Sequence, residues 1–431
     1  MAFQTGLSGL NASSRSLDVI GNNIANANTT GMKASRTEFG DMVAGSLNVV
    51  QTTNPGIGVY VAAVSQQFSQ GGISTTGNNL DAAINGSGFF QLTLPDGTTG
   101  YTRDGSFKLD KDGFIKTNSG ANVMGYPTDK TGKPSSATVQ NLQMPTNKPI
   151  AASATTAITA EFNLDARAQL AAGAVAVVGP PAVAAIPATP RSTYGTSLNV
   201  YDAAGVASPV NLYFEKSATA NTWNVFTSLD TTAQPSTTPV ATLTFDAAGK
   251  ITGPTATAPA TGIGITLKGG SIASLNPNAS AKTIPQDIAL DMSTVTQFGT
   301  SFAVTNLTQD GYTSGELTNL SIGENGIITA RYSNGQTQAT GQLTLTDFRN
   351  VQGLTPVGSN TWVATFASGQ PVVDKPGNGK FGTLRAGALE DSNVDLTAEL
   401  VNMMTAQRAY QANAQTIKTQ DQVMSTLVNL R

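Results

Sequence analysis

The chain has 431 residues, 39% of them hydrophobic with 44 Gly besides, and a net charge of −3, so it is long enough for about two to four domains and its apolar share lies near the ordinary globular range. It contains no Cys and no His, which excludes disulfides, thiol chemistry, a Ser-His-Asp triad and His-bearing zinc or haem sites. A slightly acidic chain without a basic stripe is no nucleic-acid binder, and no run of about 18 or more apolar residues is present to span a bilayer.

Charge is the compositional outlier. Only 12% of the residues are charged, about half the usual ~25%. Thr, Ser, Asn, Gln and Ala must therefore build the surface. Such a surface repels itself weakly and suits a subunit that packs against copies of itself. A secreted β-rich monomer would carry the same bias. Carboxylate-only catalysis stays open but has no motif behind it, so no catalytic, cofactor-binding or metal-binding residue is assigned and no cofactor is expected.

At the start, Phe3, Leu7, Leu10, Leu17 and Ile24 fall on an alternating four- and three-residue register broken by Ser14 and Gly21. This predicts an amphipathic helix within residues 1–30. The segment has no basic region followed by an uninterrupted apolar run, so no cleaved leader is expected. Residues 31–70 carry Gly31, Gly40, Gly45, Pro55, Gly56 and Gly58 among polar residues and are expected to be an extended connector.

Residues 71–147 and 303–392 hold the hairpin chemistry. Asn85-Gly86, Asp96-Gly97, Asp104-Gly105 and Asp112-Gly113 punctuate the first block; Asp310-Gly311, Asn325-Gly326 and Asn334-Gly335 punctuate the second. Asn-Gly and Asp-Gly supply the positive φ of tight β-turns. The Asp residues, with Asp110 and Asp129, do not have the spacing of a calcium loop and are read as turns. Residues 88–94 and 343–348 read as strands. The two blocks are expected to be halves of one discontinuous β-domain, interrupted by an inserted outer β-domain at 148–302. Within the insert, 197–202, 210–215, 222–226 and 241–246 alternate as strands do. An Ala/Val/Pro/Gly tract at 168–190, with Pro180-Pro181, reads as a surface loop, with a surface-contact finger as the alternative.

At the end, within 393–431, Leu396, Leu400, Met403, Tyr410, Ala414, Ile417, Met424 and Val428 keep the helical register, interrupted by Gln407 and Asp421. Two amphipathic helices at opposite ends of one chain are natural partners. Their stripes are thin, so a lone pair would be marginal in water. Packing both within one chain and between copies is expected. Tyr410 anchors the pair or is an ordinary core tyrosine. The fold class is multidomain and mainly β with α-helical termini: paired terminal helices forming a coiled coil, a discontinuous β-domain and an inserted outer β-domain.

Several motifs resemble the bacterial flagellar rod, hook and hook-associated axial protein family. At the N-terminus they are Ser8-Gly9-Leu10-Asn11-Ala12 and Leu17-Asp18-Val19-Ile20-Gly21-Asn22-Asn23-Ile24-Ala25-Asn26. At the C-terminus they are Ser392-Asn393-Val394-Asp395-Leu396, Glu399-Leu400-Val401-Asn402-Met403, Gln407-Arg408-Ala409-Tyr410-Gln411 and Asn413-Ala414-Gln415-Thr416-Ile417-Lys418-Thr419, then Leu427-Val428-Asn429-Leu430-Arg431. Inner matches are Leu80-Asp81-Ala82-Ala83-Ile84, Gly88-Phe89-Phe90, Tyr101-Thr102-Arg103-Asp104-Gly105-Ser106-Phe107, Gly382-Thr383-Leu384 and Gly387-Ala388-Leu389-Glu390. The large insert favours the hook branch over the shorter distal-rod members, and the 168–190 tract departs from the family pattern.

The resemblance implies a non-enzymatic structural subunit that polymerises with itself into a curved, bendable tube, a universal joint passing motor torque from rod to filament. It implies export through the flagellar type III apparatus without a cleaved signal peptide and an extracellular place on the flagellum. Distal rod, hook cap and hook-filament junction proteins would be the other partners. The expected assembly interface comprises Leu7, Leu10, Leu17, Asn22, Asn23, Ile24, Asn26, Leu396, Leu400, Met403, Tyr410, Ile417, Met424 and Leu427. The three Asn residues lie off the apolar register. They either set register against neighbouring copies or face a water-filled channel or mark the helix end. The alternatives are a distal-rod or hook-associated junction protein, which would form a straight and rigid filament, and an extracellular adhesin or binding module.

Overall fold

The computed structural model describes residues 2–42, 56, 58–146, 148–172, 188–228, 239–254, 264–267 and 287–429. Most of the tract expected as a loop at 168–190, including Pro180-Pro181, lies outside the described residues. Two long helices stand at the ends of the chain, α1 (Ala2–Ala25) and α2 (Leu396–Asn429), with β-structure between them. The chain divides into two compact units, one of residues 1–148, 317–331 and 337–431, the other of 149–316 and 332–336.

The sheet of the first unit interleaves strands from both halves of the sequence. Phe89–Thr93 pairs with Thr99–Thr102 and also with Leu345–Asp347, while Thr361–Val363 pairs with Thr99–Thr102. Thr337–Leu343 pairs with Asn122–Tyr126. Neither half can complete its ladder hydrogen bonds without the other. Two short ladders, Ile73–Thr75 with Ala388–Glu390 and Ala82–Asn85 with Thr383–Ala386, bring the last stretch before α2 onto the first half. Successive strand side chains point to opposite faces, and the Phe89-Phe90 pair uses both. Phe89 joins a cluster with Phe68, Phe348 and Trp362, while Phe90 packs edge-on against Phe107 with ring centroids 5.0 Å apart. Both are buried, so the sheet is covered on both faces at this point.

The second unit is a β-sandwich of two five-stranded sheets among the described residues. One is an antiparallel meander of Gly195–Tyr201, Ala207–Lys216, Thr222–Ser228, Ala241–Phe245 and Ile251–Gly253. The other is built around Ala157–Asp165, whose Ile158, Ala160, Phe162 and Leu164 alternate inward. Those side chains meet Leu212, Phe214, Trp223 and Val225 of the meander in one core, as facing sheets require.

Three sequence expectations are corrected here. Residues 31–70 are not a plain connector: β1 (Ser35–Met42) and β2 (Gly58–Gln66) form an antiparallel ribbon, with Ser35 opposite Gln66 and Met42 opposite Gly58. The sparse apolar pattern hid it, because much of the ribbon is solvent-facing. The insert does not end at 302, because Ala303–Gln309 pairs antiparallel with Ala157–Asp165 and extends the unit to residue 316. Finally, positive φ occurs at Gly86, Gly97, Gly113, Gly326 and Gly335 but not at Gly105 or Gly311. At Gly105 a Cβ would lie 1.7 Å from the Ala82 carbonyl oxygen, and at Gly311 it would lie 2.3 Å from Thr155 Oγ1. Glycine is required there for close approach, not for turn geometry.

This distinction is measurable. Gly105→Ala should cost at least about 3 kcal/mol, since a backbone oxygen cannot move aside. Gly97→Ala, with open space around it, should cost only the left-handed strain of about 1–2 kcal/mol. Urea unfolding followed by the fluorescence of Trp362, in the same unit, separates the two; equal costs would sink the close-approach account.

Candidate assembly surface and its polar neck

Asp395 starts α2 by accepting hydrogen bonds from the Thr397 and Ala398 amides at 2.9 and 3.2 Å, the N-cap arrangement. The end of α1 tightens where the Ala27 amide donates to the Ile24 carbonyl, and Gly31 then takes a left-handed φ of 68°. The helices pair antiparallel: Gly6 faces Ile417, Gly9 faces Asn413, and Asn23 reaches Glu399. A Cβ on Gly9 would fall 2.8 Å from Asn413 Nδ2.

The seam on α1 is therefore a row of mostly small residues, Gly6, Gly9, Ser13, Ser16, Ile20 and Asn23. It lies one position back from the predicted apolar stripe, about 100° around the helix. Small side chains let two helix axes approach, and that decides which face pairs. The stripe expected to join the helices is left over. Phe3 and Leu7 are 53% and 45% exposed, and Leu10, Leu17 and Ile24 are half-buried. On α2, Met403 and Ile417 lie half-buried toward the seam, whereas Leu396, Leu400, Tyr410 and Met424 are exposed. Leu427 lies in α2, but its side chain is outside the described residues.

The ribbon lies against the other side of α1. Ser8 Oγ accepts from the Val59 amide at 3.2 Å and donates to the Thr5 carbonyl at 2.9 Å. Ala12 sits in a groove with Phe39 and Val59, closed on the far side by Ala406 and Ala409. The ribbon exposes Phe39, Met42, Tyr60 and Val64, which adds apolar area to that of the helices.

Where helices and ribbon join the β-domain, the packing turns polar. Asn23, buried, clamps the Ser35 backbone with two bonds: its Nδ2 donates to the carbonyl at 2.8 Å and its Oδ1 accepts from the amide at 2.9 Å. Its amide is thus committed within its own chain. Asn22 is exposed, and Asn26 donates to the Asn22 carbonyl at 2.9 Å, closing the end of the helix. Asn393 makes the matching clamp from the other terminus, accepting from the Ala34 amide and donating to the Gln67 carbonyl, both at 2.7 Å.

Below these clamps lies a fully buried ion triad. Lys33 Nζ stands 2.6 Å from Glu390 Oε1, and Arg103 Nη1 stands 3.1 Å from Glu390 Oε2. Lys33 also donates to the Ser69 carbonyl at 2.7 Å, and the Gly71 amide donates to Glu390 at 3.0 Å. Burial draws the Lys33 pKa below its usual value despite the attraction of Glu390, and the Arg103 charge acts in the same direction. The Arg103 guanidinium lies 5.2 Å from the centre of the Phe89 ring, so the triad rests on the aromatic cluster. Sequence reasoning missed Lys33, Arg103, Glu390 and Asn393 as a unit. The available signal was their charge or amide in small-residue or apolar surroundings, in a chain that uses charge sparingly. Among the described residues no group of three or more His, Cys, Asp or Glu could hold a metal ion, and no helix is long and apolar enough to cross a membrane.

Removing the anion should do more damage than removing one cation. Glu390→Gln leaves two buried cations facing each other and should cost about 3–5 kcal/mol. Lys33→Met keeps the carboxylate paired with Arg103 and the Gly71 amide and should cost less than about 2 kcal/mol. Denaturant midpoints read through Trp362 test the order; a larger loss in Lys33→Met would contradict it.

Four family models match: the flagella basal body rod protein over residues 3–33, the flagellar hook protein FlgE/F/G D1 domain over 83–175, the flagellar basal body protein FlaE D2 domain over 163–312, and the flagellar basal body rod FlgEFG protein C-terminal region over 385–430. The chain is 39% identical to the flagellar hook protein FlgE of Escherichia coli K12, with all of both chains covered. It is 33% identical to FlgE of Treponema pallidum, covering 99% of this chain and 98% of that one. The crystal structure of Helicobacter pylori flagellar hook protein FlgE2 shares the fold with a TM-score of 0.53 at 16% identity, over 74% of this chain and all of that one. Matched along its whole length, from the paired helices through both β-units, the chain belongs to the flagellar hook protein family.

Proposed function

We propose that the chain is the structural subunit of the bacterial flagellar hook and polymerises through its termini into a curved, flexible tube that carries torque from rod to filament. The observation behind this reading is the set of apolar side chains left exposed on the helix pair, Phe3 and Leu7 toward one end and Leu396, Leu400, Val401 and Met404 toward the other, with Met424 on the overhang of α2. Large apolar side chains exposed together along a helix pair are expected of an interaction surface. A contact between unlike faces of identical subunits does not close and grows an open helical tube. In this reading Leu7, Leu10, Leu17, Ile24, Leu396, Leu400, Tyr410, Met424 and Leu427 meet neighbouring copies, joined by the exposed Asn22, while Met403 and Ile417 serve the seam within the chain. The polar neck then passes force from the helices to the β-domain of the same subunit.

The place of action is the extracellular flagellum, reached by the type III export apparatus without cleavage of a leader. Distal rod proteins would lie at one end of the tube, with hook cap and hook-filament junction proteins at the other. A distal-rod subunit would use the same termini but form straight, rigid tubes.

Electron microscopy of the full chain under polymerising conditions tests the reading, with curved tubes expected and straight tubes pointing to the rod. Leu7→Asp combined with Leu400→Asp should leave helical circular dichroism unchanged and reduce the assembled fraction at least about tenfold, because two charges must then be desolvated in each contact. Normal tubes from that variant would remove these residues from the interface.

A further inference from the structure

Phe366 is 105% exposed, the most exposed large hydrophobic side chain among the described residues. It belongs to the first unit, on the turn at 365–369, and that turn is held from several sides. Thr365 Oγ1 donates to the Gly353 carbonyl at 2.6 Å and accepts from the Ala367 amide at 3.1 Å. Ser368, fully buried, accepts from the Thr365 amide through Oγ at 3.0 Å and donates back to the Thr365 carbonyl at 2.8 Å. Asn350 Nδ2 donates to the Ala367 carbonyl at 3.0 Å. A Cβ on Gly353 would fall 2.4 Å from the Ser368 amide nitrogen, so the two backbones are in direct contact. The residues on either side of Phe366 are thus anchored, and the phenyl ring projects from a fixed base.

We propose that Phe366 is an intersubunit anchor that buries its ring in a second copy of this chain. The inference rests on the self-assembly reading and adds a contact outside the terminal helices. Three observations favour a second copy. The ring is convex and offers no enclosure for a small molecule, whose sites are concave. The turn is continuous with the candidate assembly surface, since Gln352, in the 3-10 turn beneath it, donates to the Gln66 carbonyl at the end of β2, and β2 exposes Tyr60 and Val64. The sparsely charged surface, with 12% charged residues, opposes such an approach weakly. With its backbone already anchored, the residue loses only side-chain rotamer freedom on burial, and aromatic residues, Phe among them, are enriched at the cores of interfaces.

The test compares wild-type full chain with Phe366→Ala and Phe366→Trp. Because the ring is fully exposed in its own chain, Phe366→Ala should unfold at the wild-type midpoint while its critical concentration for polymerisation rises about tenfold. The natural tryptophans, Trp223 and Trp362, are 0% and 2% exposed, so the new indole of Phe366→Trp should dominate any emission change and shift to the blue on assembly. Wild-type polymers with an unchanged critical concentration in Phe366→Ala, or no blue shift in assembled Phe366→Trp, would overturn the anchor alone. A lowered unfolding midpoint in Phe366→Ala would make the ring a folding determinant and also overturn it. A wild-type chain that stays monomeric would overturn the self-assembly reading, and the anchor with it.

Discussion

One carboxylate organises the junction on which the first unit depends. Glu390 lies 357 positions from Lys33 and 287 from Arg103, yet it accepts from both in a site closed to water. An unpaired carboxylate there would be strongly penalised, so the site exists only when the segment after α1, the β-half that carries Arg103 and the segment before α2 are together. Buried ion pairs contribute modest net stability but demand specific partners. The triad is therefore best understood as fixing which strands meet, with the stability coming mainly from apolar burial, of which the aromatic cluster of Phe68, Phe89, Phe348 and Trp362 beneath it is a part.

The helix pair follows the opposite logic. A seam built mainly of glycine, serine and alanine permits close approach but buries little apolar area beyond Ile20 and Ile417, and apolar area is the main source of helix-pairing stability. Had the leucine stripe faced inward, the pair would be firmer within one chain and would offer little to another. Small residues at most seam positions and large apolar ones outside leave a folded helix pair with unsatisfied apolar area, which the proposed assembly would use. The overhang of α2 extends this surface, because Val423 and Met424 lie past the point where α1 begins.

The elements themselves were largely legible in the sequence. The four- and three-residue spacing marks both helices, and Asn-Gly and Asp-Gly pairs mark five turns that do take positive φ. Facing was not legible. Periodicity reports where the apolar stripe is, not whether the stripe or the small-residue row beside it will pair, and here the row paired. The ribbon of β1 and β2 escaped because exposed strands lack inward alternation, and Ala303–Gln309 fell on the wrong side of a border because strand partnership is non-local. Gly105 is the sharpest case: Asp-Gly reads as a turn, while the glycine is needed for an oxygen on a strand more than 20 residues earlier in the chain. Burial of Lys33 with Glu390 had no sequence signature beyond charge in unlikely company.

Direction distinguishes the neck from the surfaces on either side of it. Apolar contacts are non-directional and tolerate rotation with little penalty, whereas hydrogen bonds weaken steeply as their angle is lost. From α1 to the sheet the path is Asn23 to the Ser35 backbone, then Lys33 to Glu390, Glu390 to Arg103 and Arg103 over Phe89. From α2 it is Asn393 to the backbones at Ala34 and Gln67. All but the last step of the first path are directional polar contacts between groups with few alternative partners. A twist applied to the helices must therefore turn the sheet with them, while the apolar outer faces of the same helices can shift against a neighbour without breaking a directional bond. In the proposed assembly, rigidity inside the subunit and compliance between subunits would thus arise from two kinds of contact on opposite sides of the same two helices.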